Sequence, residues 1–245
     1  MCFEAVAHNL NRQQLDLKLF EFGNVYKKEK GDGLEQYDEN RHLSLFITGR
    51  KEAESWITDK SVSGFFQLKG YVDNLVGKFI TESLIEKELK TESLTFGLSL
   101  NVKDDIVSVM GKVSEKLLQQ FDIANDVWYA DINWNKLVAM INPNEIAYSK
   151  LPKYPSVRRD LALLLDRDVK FSTVRELAME TVTEHLQRVN LFDVYEGEGI
   201  PNDKQSYAVS FTFLDYEKTL TDEKVDSAME SIINSFCDNL SAEIR

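Results

Sequence analysis

The side chains best suited to chemistry in this chain stand together in one short segment, LFDVYEGEGIP, at residues 191–201. The first half of the segment favours a β-strand, because it is rich in large apolar and aromatic residues, and its glycines and proline mark where the strand ends. Alternation along a strand places Asp193 and Tyr195 on the same face. A carboxylate accepts two hydrogen bonds and an aromatic ring stacks, so this pair is suited to a planar polar ligand.

The familiar motifs of catalysis and metal binding are absent from the sequence. It contains no Walker loop, GxGxxG, HExxH, CxxC or nucleophile elbow. The three histidines occur singly, and the two cysteines match no metal spacing and indicate a reducing compartment. We therefore predict no catalytic residue, no metal site and no cofactor in this chain.

The composition indicates a globular protein large enough for two domains. The chain has 245 residues, and its longest clean apolar run, residues 161–165, is far too short to span a membrane. The first ten residues lack the pattern of a signal peptide, so we expect a cytoplasmic protein without a membrane partner. A net charge of −12 argues against non-specific binding of nucleic acid, although it leaves room for a specific contact of small area.

A β-α-β-β-α-β order surrounds the Asp193–Tyr195 pair. Strands are predicted at 157–166, 186–197, 205–215 and 241–245, and helices at 172–182 and 221–240 with Ser172 and Thr221 as N-caps. This order is that of a ferredoxin-like split βαβ unit. Because both helices cover the same face of such a sheet, the opposite face is open.

Alternation assigns the side chains of these strands to the two faces. Those predicted to face the helices are Leu161, Leu163, Leu165, Phe192, Val194, Tyr207, Val209, Phe211 and Phe213. Those predicted to face outward are Arg158, Asp160, Ala162, Asp193, Tyr195, Ser206, Ala208, Ser210 and Thr212. The outward set is small and polar, with one ring and one carboxylate side by side on its second strand.

The first part of the chain predicts an α+β domain built on an antiparallel sheet. We expect long strands at 15–29 and 41–52, a helix within 62–81, a strand at 93–100, and a strand followed by a short helix at 127–141, while 104–123 is ambiguous. Three of the four prolines fall within 142–157, which predicts a linker. The predicted domains are therefore 1–148 and 149–245.

Five segments in order resemble the C-terminal region of the β subunit of bacterial phenylalanyl-tRNA synthetase. They are LFEFGNVY (19–26), HLSLFITG (42–49), YPSVRRDLALLLD (154–166), LFDVYEGEGIP (191–201) and KTLTDEKVDSAM (218–229). The resemblance covers essentially the whole chain and is most specific over 151–245. It implies a non-catalytic domain similar to a class II synthetase core, followed by a ferredoxin-fold anticodon-binding domain.

This resemblance implies a part in ATP-dependent ligation of phenylalanine to its tRNA. ATP, magnesium and phenylalanine would be bound by a partner α subunit in an α2β2 heterotetramer, while this chain would bind the anticodon and act as scaffold. By position in the family pattern, Asp193 reads the guanine that is the first anticodon base, and Tyr195 stacks on an anticodon base. Ala162 and Ser206 fall on family contact positions, and Arg158 is expected on the RNA side.

Residues 129–140 allow an independent check of the non-catalytic expectation. A working class II core needs a glycine-rich, arginine-bearing motif at a strand–helix junction to hold the phosphates of ATP, and YADINWNKLVAM has neither glycine nor arginine. The residues leave two alternatives open: a small-ligand regulatory module, and a metabolic enzyme with its site between the domains. Glu196 and Glu198 are unexpected beside an RNA site.

Overall fold

The computed structural model describes residues 2–28, 37–80, 84–141 and 151–245 of the chain. The chain separates into two compact units, Met1–Ala147 and Tyr148–Arg245. The predicted domain boundary at 148/149, most of the predicted linker and most of the loop between the first two strands lie outside the described residues.

The first unit is a six-stranded antiparallel sheet in the order β1-β2-β6-β5-β4-β3. Its elements are α1 (Cys2–Leu10), β1 (Leu17–Lys28), β2 (Tyr37–Thr48), α2 (Phe65–Val76), β3 (Ile85–Glu88), β4 (Leu94–Val102), β5 (Asp105–Val113), α3 (Glu115–Gln119), β6 (Val127–Asn133) and α4 (Trp134–Ala139). The ambiguous segment 104–123 is resolved as β5 followed by α3, because β5 pairs with both β4 and β6.

Both faces of this first sheet are covered. The cluster that contains Ile47 includes buried residues of α2 and α4, whereas the cluster that contains Phe46 includes buried residues of α1 and α3. Because Phe46 and Ile47 are consecutive in β2, these clusters lie on opposite faces of the sheet. Helix α2 shows the sequence signal for this packing, since Leu68, Val72 and Val76 recur every four residues and are fully buried.

The second unit has the predicted β-α-β-β-α-β order. Its elements are β7 (Val157–Asp166), α5 (Phe171–Thr181), β8 (Leu186–Tyr195), β9 (Lys204–Phe213), α6 (Asp222–Leu240) and β10 (Glu243–Ile244). The strands form a four-stranded antiparallel sheet in the order β10-β7-β9-β8. The predicted α+β fold is confirmed, but the predicted N-cap Ser172 is wrong, because α5 begins at Phe171 after Lys170.

Helices α5 and α6 cover one face of the second sheet. Val209 and Phe211 of β9 are buried in one cluster with Val174 of α5 and with Ile232 and Phe236 of α6. Burying each such side chain is worth about 1.5–3 kcal/mol, which fixes the register of β9 between its neighbours. The side chains that alternate with this set therefore point to the opposite face, which no helix among the described residues of this unit covers.

Candidate nucleic-acid interface

The strand register arranges the open face of the second sheet in rows that run across β7, β9 and β8. The rows are Arg158–Thr212–Arg188, Asp160–Ser210–Asn190, Ala162–Ala208–Asp193 and Leu164–Ser206–Tyr195. All the residues predicted as site residues (Arg158, Ala162, Asp193, Tyr195 and Ser206) therefore lie on this face. The register confirms their placement, while their roles in binding stay predictions.

Small side chains make a flat floor beside the Asp193–Tyr195 pair. Ala208 stands directly opposite Asp193, and Ser206 stands opposite Tyr195. Ala162 completes the row of Ala208 on the other side. Cross-strand neighbours have Cβ atoms about 5 Å apart, so a planar group lying on this floor is within reach of the Asp193 carboxylate. Asp193 is exposed and accepts no hydrogen bond from any residue that the structure describes.

Phe192 lies on the open face, so its predicted inward orientation is wrong. Leu191 pairs with Val209 and Asp193 pairs with Ala208, which leaves Phe192 as the extra residue of a β-bulge. The Cζ atom of Arg158 lies 5.2 Å from the centroid of the Phe192 ring. Strand β9 separates β7 from β8, and two strand spacings amount to about 10 Å, so these two side chains approach each other across the open face.

Val194 keeps the predicted inward register but is not buried. It pairs with Tyr207, whose side chain is buried beneath the sheet, yet Val194 itself remains partly exposed. Strand β8 is an edge of the sheet, so its side chains have a neighbouring strand on one side only. Alternation thus gives the side of the sheet correctly for Val194 but does not give its burial.

Arg158 is held on the open face by a carboxylate on its own strand. Its Nε donates to Oδ1 of Asp160 at 2.7 Å and its Nη2 to Oδ2 at 3.2 Å. Arg159 points to the opposite face, where its Nη2 donates to Asp222 at 2.8 Å and to Asp226 at 3.3 Å, both on α6. As predicted, only Arg158 of the two lies on the open side, and its charge is balanced by Asp160.

The turn after β8 fixes the ring of Tyr195. The Tyr195 hydroxyl donates to the carbonyl oxygen of Glu198 at 3.2 Å. A Cβ atom added to Gly197 would stand 2.7 Å from the Tyr195 oxygen and 2.8 Å from its Cζ, so the ring packs against the bare backbone of this glycine. Any larger residue at 197 would displace the ring.

The same turn accounts for the two unexpected glutamates. Glu196 accepts from Nη2 of Arg167 at 3.0 Å, and Glu198 accepts the Tyr195 hydroxyl through its main-chain carbonyl.

The cations near this turn are paired as well. Lys204 at the start of β9 pairs with Glu243 at 2.5 Å, and this hydrogen bond raises the pKa of Lys204. These cations are therefore compensated within the protein. Arg188 in the outermost row has no ion-pair partner among the described residues.

The strand–helix junction of the first unit does not fit a polyphosphate. Asp131 lies 2.7 Å from Nδ1 of His42 and accepts from the Ser44 hydroxyl at 3.1 Å. The Asn133 side chain caps α4 by accepting from the backbone of Lys136, and the Lys136 ammonium lies 2.6 Å from Asp105. The polar groups of this junction thus satisfy one another, and its lysine is already paired.

The described residues contain neither a metal-binding cluster nor a membrane-spanning helix. No group of three or more His, Cys, Asp or Glu side chains among them is arranged to hold a metal ion. No helix in the described ranges is long and apolar enough to cross a membrane.

Comparison with known proteins places both units. A family model described as "Ferredoxin-fold anticodon binding domain" matches residues 152–245, and one described as "Phenylalanyl tRNA synthetase beta chain CLM domain" matches residues 1–134. Among solved structures, a pyrrolysyl-tRNA synthetase from Desulfitobacterium hafniense is 13% identical, with a TM-score of 0.42, over 57% of this chain and 46% of that one.

Curated relatives match nearly the full length of the chain. The phenylalanine–tRNA ligase β subunit of Bacteroides thetaiotaomicron is 40% identical over 99% of this chain and 30% of the relative. The corresponding subunit of Porphyromonas gingivalis is 33% identical over the same shares, and that of Fusobacterium nucleatum is 32% identical over 98% and 30%. The chain thus spans 30% of the length of these relatives.

Proposed function

Because the chain belongs to the phenylalanyl-tRNA synthetase β-chain family, we propose that the open face of its second sheet binds the anticodon of phenylalanine tRNA. The observation that carries this proposal is the placement of Asp193, a carboxylate without a hydrogen-bond partner among the described residues, beside the fixed ring of Tyr195 above a floor of small residues. Family membership favours this function over the small-ligand regulatory module.

Asp193 suits the Watson–Crick edge of guanine. That edge presents two donors, N1–H and the exocyclic amino group, and a carboxylate accepts both at once. Neither adenine nor a pyrimidine offers the same pair of donors. RNA sequence is commonly recognised on such splayed, single-stranded bases. Because Asp193 accepts no hydrogen bond within the described residues, its oxygens are available to the base without breaking an internal contact.

The ring of Tyr195 is placed to stack on an anticodon base that lies on or beside the guanine. One side of its ring packs on Gly197 and the hydroxyl is held by the Glu198 carbonyl, so the ring is oriented before RNA arrives. Stacking of a base on an aromatic side chain is worth about 1–3 kcal/mol. A ring that is already fixed loses little rotamer freedom on binding, which preserves most of that energy.

The first unit acts as scaffold in this proposal. In the complete ligase, ATP, magnesium and phenylalanine would be bound by a partner α subunit, in an α2β2 assembly in the cytoplasm, and no chemical step runs through this chain. The self-satisfied polar groups around Asp131 support that division. Large aromatic side chains that stay highly exposed on this unit, Phe20, Trp56 and Phe66, support a role in subunit contact.

The proposal is tested with Asp193→Asn and an anticodon stem-loop of phenylalanine tRNA. For the wild-type 245-residue chain we expect tighter binding to the loop with guanine at the first anticodon position than to the same loop with adenine. The substitution should weaken the guanine complex about tenfold, because a charge-assisted hydrogen bond is worth about 1.5–3 kcal/mol, and should remove most of the preference.

The matched control is Asp238→Asn, which removes an exposed carboxylate from α6 on the helical side of the same unit. It should leave both affinities unchanged. Equal binding of the two loops by the wild-type chain would contradict the proposal.

A further inference from the structure

We propose that Phe192 and Arg158 form a second stacking subsite on the open face, which takes the nucleobase adjacent to the one read by Asp193. This inference rests on the proposed function and extends it to a residue that strand alternation had assigned to the core. Three observations support it: the direction of the Phe192 ring, the way Arg158 is held, and the order of the side chains along β8.

The first observation is that the bulge turns Phe192 away from the core. Phe192 is 49% exposed, although the inner face of the same strand buries Leu186 and Val189. Packing inward would remove this apolar surface from water, so the fold of the unit gives no reason to expose it. Bulges commonly redirect a side chain at a functional site.

The second observation is that the Arg158 guanidinium offers a flat stacking surface, while its charge is already paired with Asp160. Its guanidinium is fixed by both oxygens of Asp160 and lies over the Phe192 ring. A charge that is already compensated gains little from a phosphate, whereas guanidinium planes and aromatic rings both stack on unpaired bases. Ser210, beneath this part of the face, is only 5% exposed, while Ala162, Ala208 and Ser206 remain partly exposed. The part of the open face at Ser210 is therefore covered, whereas the floor of Ala162, Ala208 and Ser206 is open.

The third observation is that Asp193 lies between two aromatic side chains along β8. Tyr195 is one row beyond it in one direction, and Phe192 precedes it at the bulge. A base bound by Asp193 on the floor thus has a stacking surface on either side. The base that stacks on Phe192 can have any identity, since stacking uses the π-face of the base and not its hydrogen-bonding edge.

The experiment uses the 245-residue chain and stem-loops that carry 2-aminopurine on one or the other side of the guanine. Fluorescence of 2-aminopurine is quenched when it stacks. For wild type we expect quenching on binding at one of the two positions. Phe192→Leu should abolish that quenching and weaken binding about tenfold, whereas Phe192→Trp should retain both.

The controls separate stacking from folding and from charge. Phe22→Leu makes the same substitution at an exposed phenylalanine of the first unit and should change neither quenching nor affinity. Thermal melting of Phe192→Leu should match wild type, because Phe192 lies outside the core. Arg158→Gln should reduce quenching while leaving the salt dependence of binding unchanged, since a phosphate contact would lower the slope by about 0.7.

Two results would overturn the subsite while leaving the proposed function intact. One is wild-type quenching and affinity in Phe192→Leu with the guanine preference preserved. The other is an Arg158→Gln variant that lowers the salt slope with no change in quenching, which makes Arg158 a phosphate contact. If wild type shows no guanine preference at all, the proposed function fails and the subsite fails with it.

Discussion

Asp131 on β6 of the first sheet and Asp193 on β8 of the second are strand carboxylates in opposite settings. In the first unit, Asp131 is partly buried, and His42 and Ser44 each contact one of its carboxylate oxygens. In the second unit, Asp193 stands on an open face without a hydrogen-bond partner among the described residues. A carboxylate that the protein satisfies itself is structural, whereas one left free beside a fixed ring is available to a ligand.

The setting of each carboxylate follows from how its sheet is covered. Helices pack on both faces of the first sheet, so its polar groups must find partners inside the protein. Helices α5 and α6 pack on only one face of the second sheet, which leaves water or a ligand to satisfy the other. Family membership alone would not separate these two settings, but the hydrogen bonds do.

The largest expected effect in this comparison comes from Gly197→Ala. The added Cβ would stand 2.7 Å from the Tyr195 hydroxyl oxygen, so the ring must leave its position on the turn. We expect RNA binding to weaken at least tenfold, because most of the stacking energy of about 1–3 kcal/mol is lost. Anticodon stem-loop titration measures this.

Gly199→Ala is an unsuitable control for that variant, because Gly199 has a positive φ of 87° and would be strained by any side chain. Tyr195→Phe is better, since it removes only the bond to the Glu198 carbonyl and keeps the ring. The loss of RNA affinity in Tyr195→Phe should be small. A Gly197→Ala variant that binds as wild type would show that the turn does not position the ring.

The next effect is on stability and separates the two carboxylates directly. Asp131→Ala leaves His42 and Ser44 without their acceptor and should lower the free energy of unfolding of the first unit by about 1–3 kcal/mol. Asp193→Ala should change stability by less than about 0.5 kcal/mol, as at an exposed site. Denaturant unfolding monitors both, and equal losses would contradict the distinction.

The smallest effect concerns the neighbouring arginines on opposite faces. Arg159→Gln removes exposed ion pairs to Asp222 and Asp226 and should cost about 0–1 kcal/mol of stability, with no change in RNA affinity. Arg158→Gln should instead leave stability unchanged and weaken RNA binding. The two variants are adjacent in sequence and identical in chemistry, so a loss of RNA binding in Arg159→Gln would mean that the open face is not the binding surface.

Much of the second unit followed from the sequence because its strands alternate cleanly. The inward set of β9 and the outward positions of Ala162, Asp193 and Ser206 were correctly placed by period-two patterning. Phe192 was misplaced because one extra residue in a strand leaves no mark in an apolar run, and only the pairing partner reveals it. The bidentate pair of Arg158 with Asp160 was within reach of the sequence, since residues two apart on a strand share a face.

Other features required the folded chain. The packing of Tyr195 on Gly197 and the pairing of Glu196 with Arg167 depend on how the turn folds back, which local propensity does not specify. Segment 104–123 was ambiguous because β5 is held as a strand by partners on both sides and not by its own pattern. The N-cap of α5 is Lys170, whose side chain makes no capping bond, so no sequence signal marked that helix start.

The central claim is that the Asp193 carboxylate reads the two donors of guanine, and a double-mutant cycle tests it most directly. Wild type and Asp193→Asn are each titrated with stem-loops that carry guanine or inosine, which lacks the exocyclic amino group, at the first anticodon position. We expect wild type to lose about tenfold on inosine and Asp193→Asn to lose much less, giving a coupling energy of about 1 kcal/mol. Equal losses on inosine in both proteins, and hence no coupling, would contradict the claim.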